Sequence, residues 1–452
     1  MSNEEEPPVS SEKKTGNKQE IKKRIIFGVS TTVVILGLAA FFTDVSTEMI
    51  QAIFPDYVLY VIGAGPAFLG FILGITDAVS NIIKGLSGWL SEHLGQRKSL
   101  VAAGYAVSNI VAKPLMGVFP EAVPVFMFKV LDRVGKGIRS APRDALVAYH
   151  AKDKAGKAFG VYTAMDTMGA IAGPLLAAVL LVLTAGILLY AGQLQFIVIF
   201  SIVPGIVAVF LVVFVRDVKQ PKDEKGKLGA SDQAKQHLSW ATIKPIIVLA
   251  VIEFASLNSG FLVARGGDFH NIFGVSAAFL ASIGMNQATF DTILITVLYA
   301  MYNVIYAAVS LKAGNLSDQK GRKAIITLAM ILLLAANLLM AFPYPNGSIL
   351  IAIFLPTAFV LFGFYSGFMD STSKAMVSDL SEKKKGITYG MYYLAVGLLS
   401  IPESVLFGSL YEIYGASVAF FYEAIVLVVA IIIFVMKVPE TRRVNAAKMQ
   451  DE

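Results

Sequence analysis

The chain has 452 residues, of which 56% are hydrophobic and only 15% charged, with a formal net charge of +6. A soluble domain carries about 25% charged residues, so the composition excludes one and points to an all-α integral membrane protein. The absence of cysteine excludes disulfides and thiolate metal sites. The four histidines, His93, His150, His237 and His270, fall in no ligand spacing, so neither a metal nor a cofactor is expected.

With ~20 residues per helix and short connections, about 400 residues hold close to twelve spans. Residues 1–25 read as a disordered cytoplasmic tail, polar and too acidic for a signal peptide. The first span begins near Ile26 and carries Asp44 and Glu48 on one face, with Gln51 one turn on and Pro55 as a kink. Acids inside a span mark a functional site by default; the bland alternative is a structural pair to a cation on the fourth span. The second span, 65–92, holds Asp77 and Lys84, and the third, 99–118, holds Lys113–Pro114.

The fourth span, 122–150, contains KVLDRVGKGIRSAPRD, with Lys129, Arg133, Lys136, Arg139 and Arg143 against Asp132 and Asp144. Positions 129, 133, 136, 140 and 143 recur every three or four residues and share a face. An unpaired charge in hydrocarbon costs at least ~3 kcal/mol. The stripe must therefore border a watery cavity or opposite charges on neighbouring helices.

The fifth span, 159–185, holds Asp166 and GAIAGP, and the sixth is 195–215. The polar stretch around 217–240 divides the chain near its middle, as a cytoplasmic linker between an N-terminal six-helix bundle (26–216) and a C-terminal one (241–437) would. The seventh span starts near Lys244 and passes Glu253 to Arg265; the glycine-broken segment 266–287 reads as a long external connection. The eighth span ends at Gly314, and the remaining four follow at 323–340, 349–380, 386–410 and 416–436. Residues 438–452 form a polar tail. Lysine and arginine concentrate in alternate loops, near Arg97, Lys152, the central linker, Arg322 and Lys383, which puts both termini and the linker in the cytoplasm of a cytoplasmic (inner) membrane protein.

The end of the second span, from Gly88 through Glu92 and Gly95 to Arg97-Lys98, repeats at the end of the eighth, from Gly314 through Asp318 and Gly321 to Arg322-Lys323. Repeated halves are a hallmark of secondary transporters. The repeat resembles the G-x-L-x-D-x-x-G-R-K signature of the major facilitator superfamily; the first copy has Glu92 for the acid and Gln96 for the first basic residue. The resemblance covers about 26–440 and implies twelve transmembrane helices in two pseudo-symmetric six-helix bundles. It also implies a cytoplasmic latch between the halves at this loop. Gly88, Glu92, Arg97, Gly314, Asp318 and Arg322 are assigned to that latch, with Arg143, Asp144 and Asp379 near the same face. Arg133-Val-Gly-Lys136-Gly137 resembles the fourth-helix R-x-x-Q-G motif, with Lys136 for glutamine, and Gly169 to Pro174 resembles the fifth-helix G-x-x-x-G-P element of exporters and antiporters. Together with FFTDVSTEM, these motifs look like a prokaryotic exporter-like branch of the superfamily.

What the resemblance implies is a transporter and not an enzyme, working by alternating access as a monomer. Its partners are the lipid bilayer, a small-molecule substrate and protons, with no nucleic acid. The expected substrate and proton cavity comprises Asp44, Glu48, Lys129, Arg133, Lys136, Asp166, Glu253 and Glu403. No G-x-x-x-x-G-K-[ST] loop is present, which leaves an ion gradient or facilitation as the drive. Two charge balances stand open at this point. The cationic stripe leaves surplus positive charge for an anionic or zwitterionic solute, or the acids of the first and fifth spans consume it. Proton-coupled export, uptake of an organic anion, and a non-transporting sensor or assembly factor on the same fold are the competing functions.

Overall fold

A computed structural model of the chain describes residues 25–26, 29–94, 97–151, 155–215, 240–345, 347–380 and 385–441. The disordered-tail reading for 1–24, nearly all of the central linker and the tail beyond 441 lie outside these residues. A two-residue antiparallel pair, Ile25–Ile26 with Val29–Ser30, precedes the helices. The first helix starts at Thr31, later than the hydropathy suggested, because the Ser30 side chain caps it by accepting from the Thr32 amide at 3.3 Å.

Twelve helical passes follow. α1 is Thr31–Gln51, extended by Phe54–Asp56 and a π-helical Tyr57–Ile62. α2 is Pro66–Leu94. α3 runs from Arg97–Ala106 through a π-helical Val107–Ala112 into Lys113–Val118. α4 is Ala122–Ala151 and α5 Ala155–Thr184. α6 comprises Tyr190–Phe200 and Ile202–Val213. α7 comprises Trp240–Phe254 and Ser259–Gly267. α8 is Gln287–Lys320, α9 Arg322–Ala341, α10 Ile349–Leu380, α11 Lys385–Tyr414 and α12 Ala416–Lys437. Helices predominate because hydrocarbon leaves no other partner for the backbone. Among the described residues, ten passes are long and apolar enough to cross a membrane by length and composition alone. The other two are the charge-laden α4 and α7, which is interrupted at 255–258. The connection after α7 is not structureless: it folds a short helix, Ala277–Ser282, and ties the Asn271 amide to Asp291 at 2.9 Å.

The halves meet along two seams, α2 against α11 and α5 against α8. Each seam becomes the other when every helix is exchanged for the one six later, as a pseudo-two-fold requires. On the α2–α11 seam a Cβ at Gly74 would lie 2.9 Å from the Ser400 carbonyl, so only glycine allows the approach. Gly169 and Gly173 do the same for α5 against Phe41–Met49 of α1, which gives the exporter-type element a packing role.

An even number of passes puts both ends of the described chain on one face, called here the terminal face. The apolar packing is lopsided about it. One buried cluster joins the halves, from Met49, Phe54 and Leu73 to Phe261, Phe359 and Phe407. A second, around Val33, Leu36, Tyr105 and Leu146, belongs to the first half alone and lies toward the terminal face. The halves are thus fused at the opposite face and diverge toward the terminal one.

Candidate functional site

The divergence leaves a central cavity of two lobes, with volumes of about 390 and 360 Å³. Both are lined by Asp77, Asn258, Ser259, Tyr302 and Tyr306. The lobe toward the first half adds Asp44, Glu48, Gln51, Arg133 and Asp166, and the other adds Tyr365, Asp370 and Glu403.

Two carboxylates in this lining accept hydrogen bonds from the opposite half. Tyr299 Oη of α8 donates to Glu48 Oε2 of α1 at 2.9 Å. Asn258 Nδ2 of α7 donates to Asp77 Oδ2 of α2 at 2.6 Å. Asn258 sits in the break of α7, and its Oδ1 also accepts from the Gly260 amide at 2.8 Å, capping the second helical piece. Irregular backbone at membrane depth is tolerated where it lines a cavity. Asp44 lies within Coulombic reach of Asp166, Lys136 and Arg139. Tyr162 donates to Asp166 at 3.3 Å.

The cationic stripe on α4 does not act as one unit. Arg133 lines the cavity. Lys129 does not: it is 2% exposed, 4.1 Å above the Phe54 ring, with Gln51 Oε1 at 3.5 Å. Arg139 stacks on Tyr105, centroid distance 4.7 Å. Asp132 faces away into the first half and accepts from Ser108 Oγ at 2.5 Å. There it balances Lys113, which is 1% exposed and held by Thr47 at 2.8 Å, Asn109 at 2.7 Å and Ser46 at 3.3 Å. Lys113 directly follows the π-helical turn of α3, an insertion that re-aims the side chains after it.

The cavity surface therefore carries Asp44, Glu48, Asp77, Asp166, Asp370 and Glu403 against Arg133. Of the two balances left open by the sequence, the lining agrees with the one in which the acids of the first and fifth spans take up the surplus of the stripe, and it adds Asp77, Asp370 and Glu403 to them. Asp370 is itself paired with Lys374 at 2.6 Å. On α8 a ladder of Tyr299, Tyr302 and Tyr306 stacks at centroid distances of 5.4 and 6.4 Å.

At the opposite face the halves are tied together. Asp56 Oδ2 accepts from Tyr190 Oη at 2.7 Å and from Thr292 Oγ1 of the second half at 2.8 Å. Thr289 donates to Gln193 at 2.7 Å across the same boundary. At the terminal face the ion pairs stay within a half. Arg143 pairs with its neighbour Asp144 at 2.9 Å and lies over the Tyr162 ring, and among the described residues Asp144 forms no ion pair with Arg97. Arg322 pairs with Asp318 at 2.6 Å and Asp379 at 3.0 Å, both in the second half. Glu440, beyond α12, accepts from the Arg322 and Lys323 amides at 2.9 and 3.0 Å and so caps α9. Gly321 has φ +97°, and a side chain there would collide with Glu440. The latch expected between halves is thus, in this conformation, a clasp inside the second half. The side chains of Glu92 and Glu253 lie outside the described residues; Gly88 and Glu92 belong to α2 and Glu253 to α7.

The profile of the Major Facilitator Superfamily matches residues 36–290 and 267–451. The chain belongs to the major facilitator superfamily. It is 30% identical over 409 residues, 89% of the chain and 94% of the relative, to an uncharacterised MFS-type transporter of Methanocaldococcus jannaschii. An uncharacterised protein of Mycobacterium bovis is 24% identical, covering 90% of this chain and 93% of its own. Among solved structures, the nucleoside transporter NupG superposes with TM-score 0.70 at 12% identity, covering 90% of this chain and 98% of that one. A peptide transporter POT superposes with TM-score 0.71 at 14% identity, covering 93% and 97%. At such identities these two show the shared fold. The protein is a multi-pass membrane transporter of the secondary class, not an enzyme, and it acts on a small molecule.

Of the eight cavity residues the sequence singled out, Asp44, Glu48, Arg133, Asp166 and Glu403 line the two lobes, Lys129 and Lys136 do not, and the Glu253 side chain lies outside the described residues. Asp77, Asp370 and the Tyr299 ladder were not selected. The two acids carried the same signal as Asp44, a carboxylate inside an apolar span. The tyrosines gave none, since aromatic residues at helical spacing are ordinary packing.

Proposed function

We propose that this transporter exports a small zwitterionic solute across the cytoplasmic membrane in exchange for protons, as a monomer with both termini in the cytoplasm. The observation that carries the reading is the pair of cavity carboxylates, Glu48 and Asp77, each hydrogen-bonded to the opposite half. An ionised acceptor binds a neutral donor more strongly than a protonated one does. Protonation of Glu48 therefore weakens its bond to Tyr299, and loss of that bond frees α8 from α1. Arg133 gives a carboxylate group of the solute its counter-charge, while the excess acids suit an ammonium group and disfavour a purely anionic solute. The outward direction rests on the resemblance to the exporter-like branch as a whole, since the fifth-helix glycine element packs α5 on α1. The loop lysines and arginines support the orientation.

The test is reconstitution into liposomes with an entrapped pH-sensitive dye, and a panel of zwitterionic, anionic and cationic solutes. Zwitterions loaded inside are expected to leave faster under an acid-outside gradient and to carry protons inward. Glu48→Gln is expected to abolish the proton flux. Equal proton flux in that variant would remove Glu48 as a carrier, and flux driven only by anions would remove the zwitterion reading.

A further inference from the structure

α12 carries one acid, Glu423, which none of the above uses. It is 1% exposed and lies away from the cavity. Glu403 of the adjoining α11 is 4% exposed, borders the cavity, and is within Coulombic reach of Glu423. Ser404 Oγ donates to Glu403 Oε2 at 2.5 Å. Glu403 Oε1 and Glu423 Oε1 are both buried without a hydrogen-bond partner.

The charges around the pair do not neutralise it. From α2, Asp77 faces Glu403 and is another acid. Tyr422 neighbours Glu423 on its own helix. α7 packs on both helices and carries Glu253, with Lys244 nearer the terminal face. On α10, Lys374 is paired with Asp370. α9 has Arg322 and Lys323 only at its terminal-face end, with Arg322 paired to Asp318 and Asp379. Among the described residues no basic side chain forms an ion pair with either glutamate.

Two carboxylates in a dry interior cannot both remain ionised without a cation between them. One proton resolves this, because it converts one carboxyl into a donor and gives the other an O–H to accept. We propose that Glu403 and Glu423 form a proton-binding pair within the second half. A proton enters from cavity water at Glu403 and is shared with Glu423 behind it, bound to one carboxyl oxygen and donated to the other. The site borders Asp77 but shares no residue with the Glu48–Tyr299 and Asp77–Asn258 contacts between halves. It is still placed to influence their movement. The Ser404 carbonyl, one residue from Glu403, lies directly against Gly70 of α2, so a change of charge at Glu403 acts on the α2–α11 seam.

The test is infrared spectroscopy of the full-length protein in lipid, following the carboxylic acid C=O stretch, which exists only for a protonated carboxyl and shifts in D2O. The wild-type-minus-variant spectra of Glu403→Gln and Glu423→Gln are expected to show the same lost band at neutral pH. In each variant the amide N–H replaces the shared proton, so the remaining carboxylate ionises. Glu48→Gln is expected to leave this band in place, so that the pair and the Glu48 coupling fail independently. A band lost in neither variant, or in only one, overturns the pair. Loss of the wild-type band on adding Na+ at constant pH overturns the proton assignment in favour of a metal cation. If one variant fails to fold, judged by size exclusion, the Na+ addition to the wild type and the band in the other variant still decide.

Discussion

Each half buries an ionic centre, and the two are built oppositely. In the first half, Lys113 and Asp132 are of opposite sign, and hydroxyl and amide groups from α1 and α3 fill the remaining positions. In the second half, Glu403 and Glu423 are of the same sign and leave an oxygen each without a partner. The first centre is complete as folded, so it fixes α1, α3 and α4 relative to one another. The second needs something delivered to it. Charge that stabilises a bundle and charge that awaits a ligand can be equally deep; what separates them is whether the partners are already in place.

Lys113→Met breaks this comparison most directly. It takes from buried Asp132 one of the three cations within Coulombic reach and leaves Asn109 Oδ1 without its donor, and each polar group so stranded costs roughly 1–3 kcal/mol. Thermal unfolding in detergent should show a large drop for Lys113→Met and almost none for Glu423→Gln, which removes a charge that had no counter-ion. Equal losses in the two variants would mean that both centres are structural. Asp56 is the intermediate case, a buried carboxylate held by hydroxyls from α6 and α8 and with Oδ1 unpartnered. Tyr190→Phe removes one of those bonds, worth about 2 kcal/mol to a charged acceptor. It should open the opposite face. The chain has no cysteine of its own, so maleimide labelling of a cysteine introduced at Thr289 reads that opening directly. Unchanged labelling would show that Asp56 does not hold the closure. The smallest effect is expected at the terminal face, where Asp318 and Asp379 are partly solvated. Arg322→Lys loses the forked contact to both acids and should cost about 1 kcal/mol by unfolding. A loss as large as that of Lys113→Met would make this clasp a core element.

Much of the candidate site was legible because membrane sequences make charge conspicuous. Asp44, Glu48 and Arg133 stand out in apolar runs, and helical spacing puts them on inward faces. The same spacing was misleading for Lys129, which shares the stripe yet turns onto Phe54 instead of the cavity. Glu423 carried the same signal as Asp44 and went unselected. The Tyr299–Glu48 and Asn258–Asp77 contacts join residues hundreds of positions apart, and no local pattern encodes which helix faces which.

The sequence by itself determined the membrane setting, the twelve passes and the doubled architecture. Each follows from hydrophobic run length, charge placement and internal repetition, which are properties of short windows. Only the tertiary structure decided the sign of the cavity, the partners of each charge and the face on which the halves part. Those depend on how helices remote in sequence rotate against one another, and a turn of a few tens of degrees moves a side chain from water to a buried neighbour.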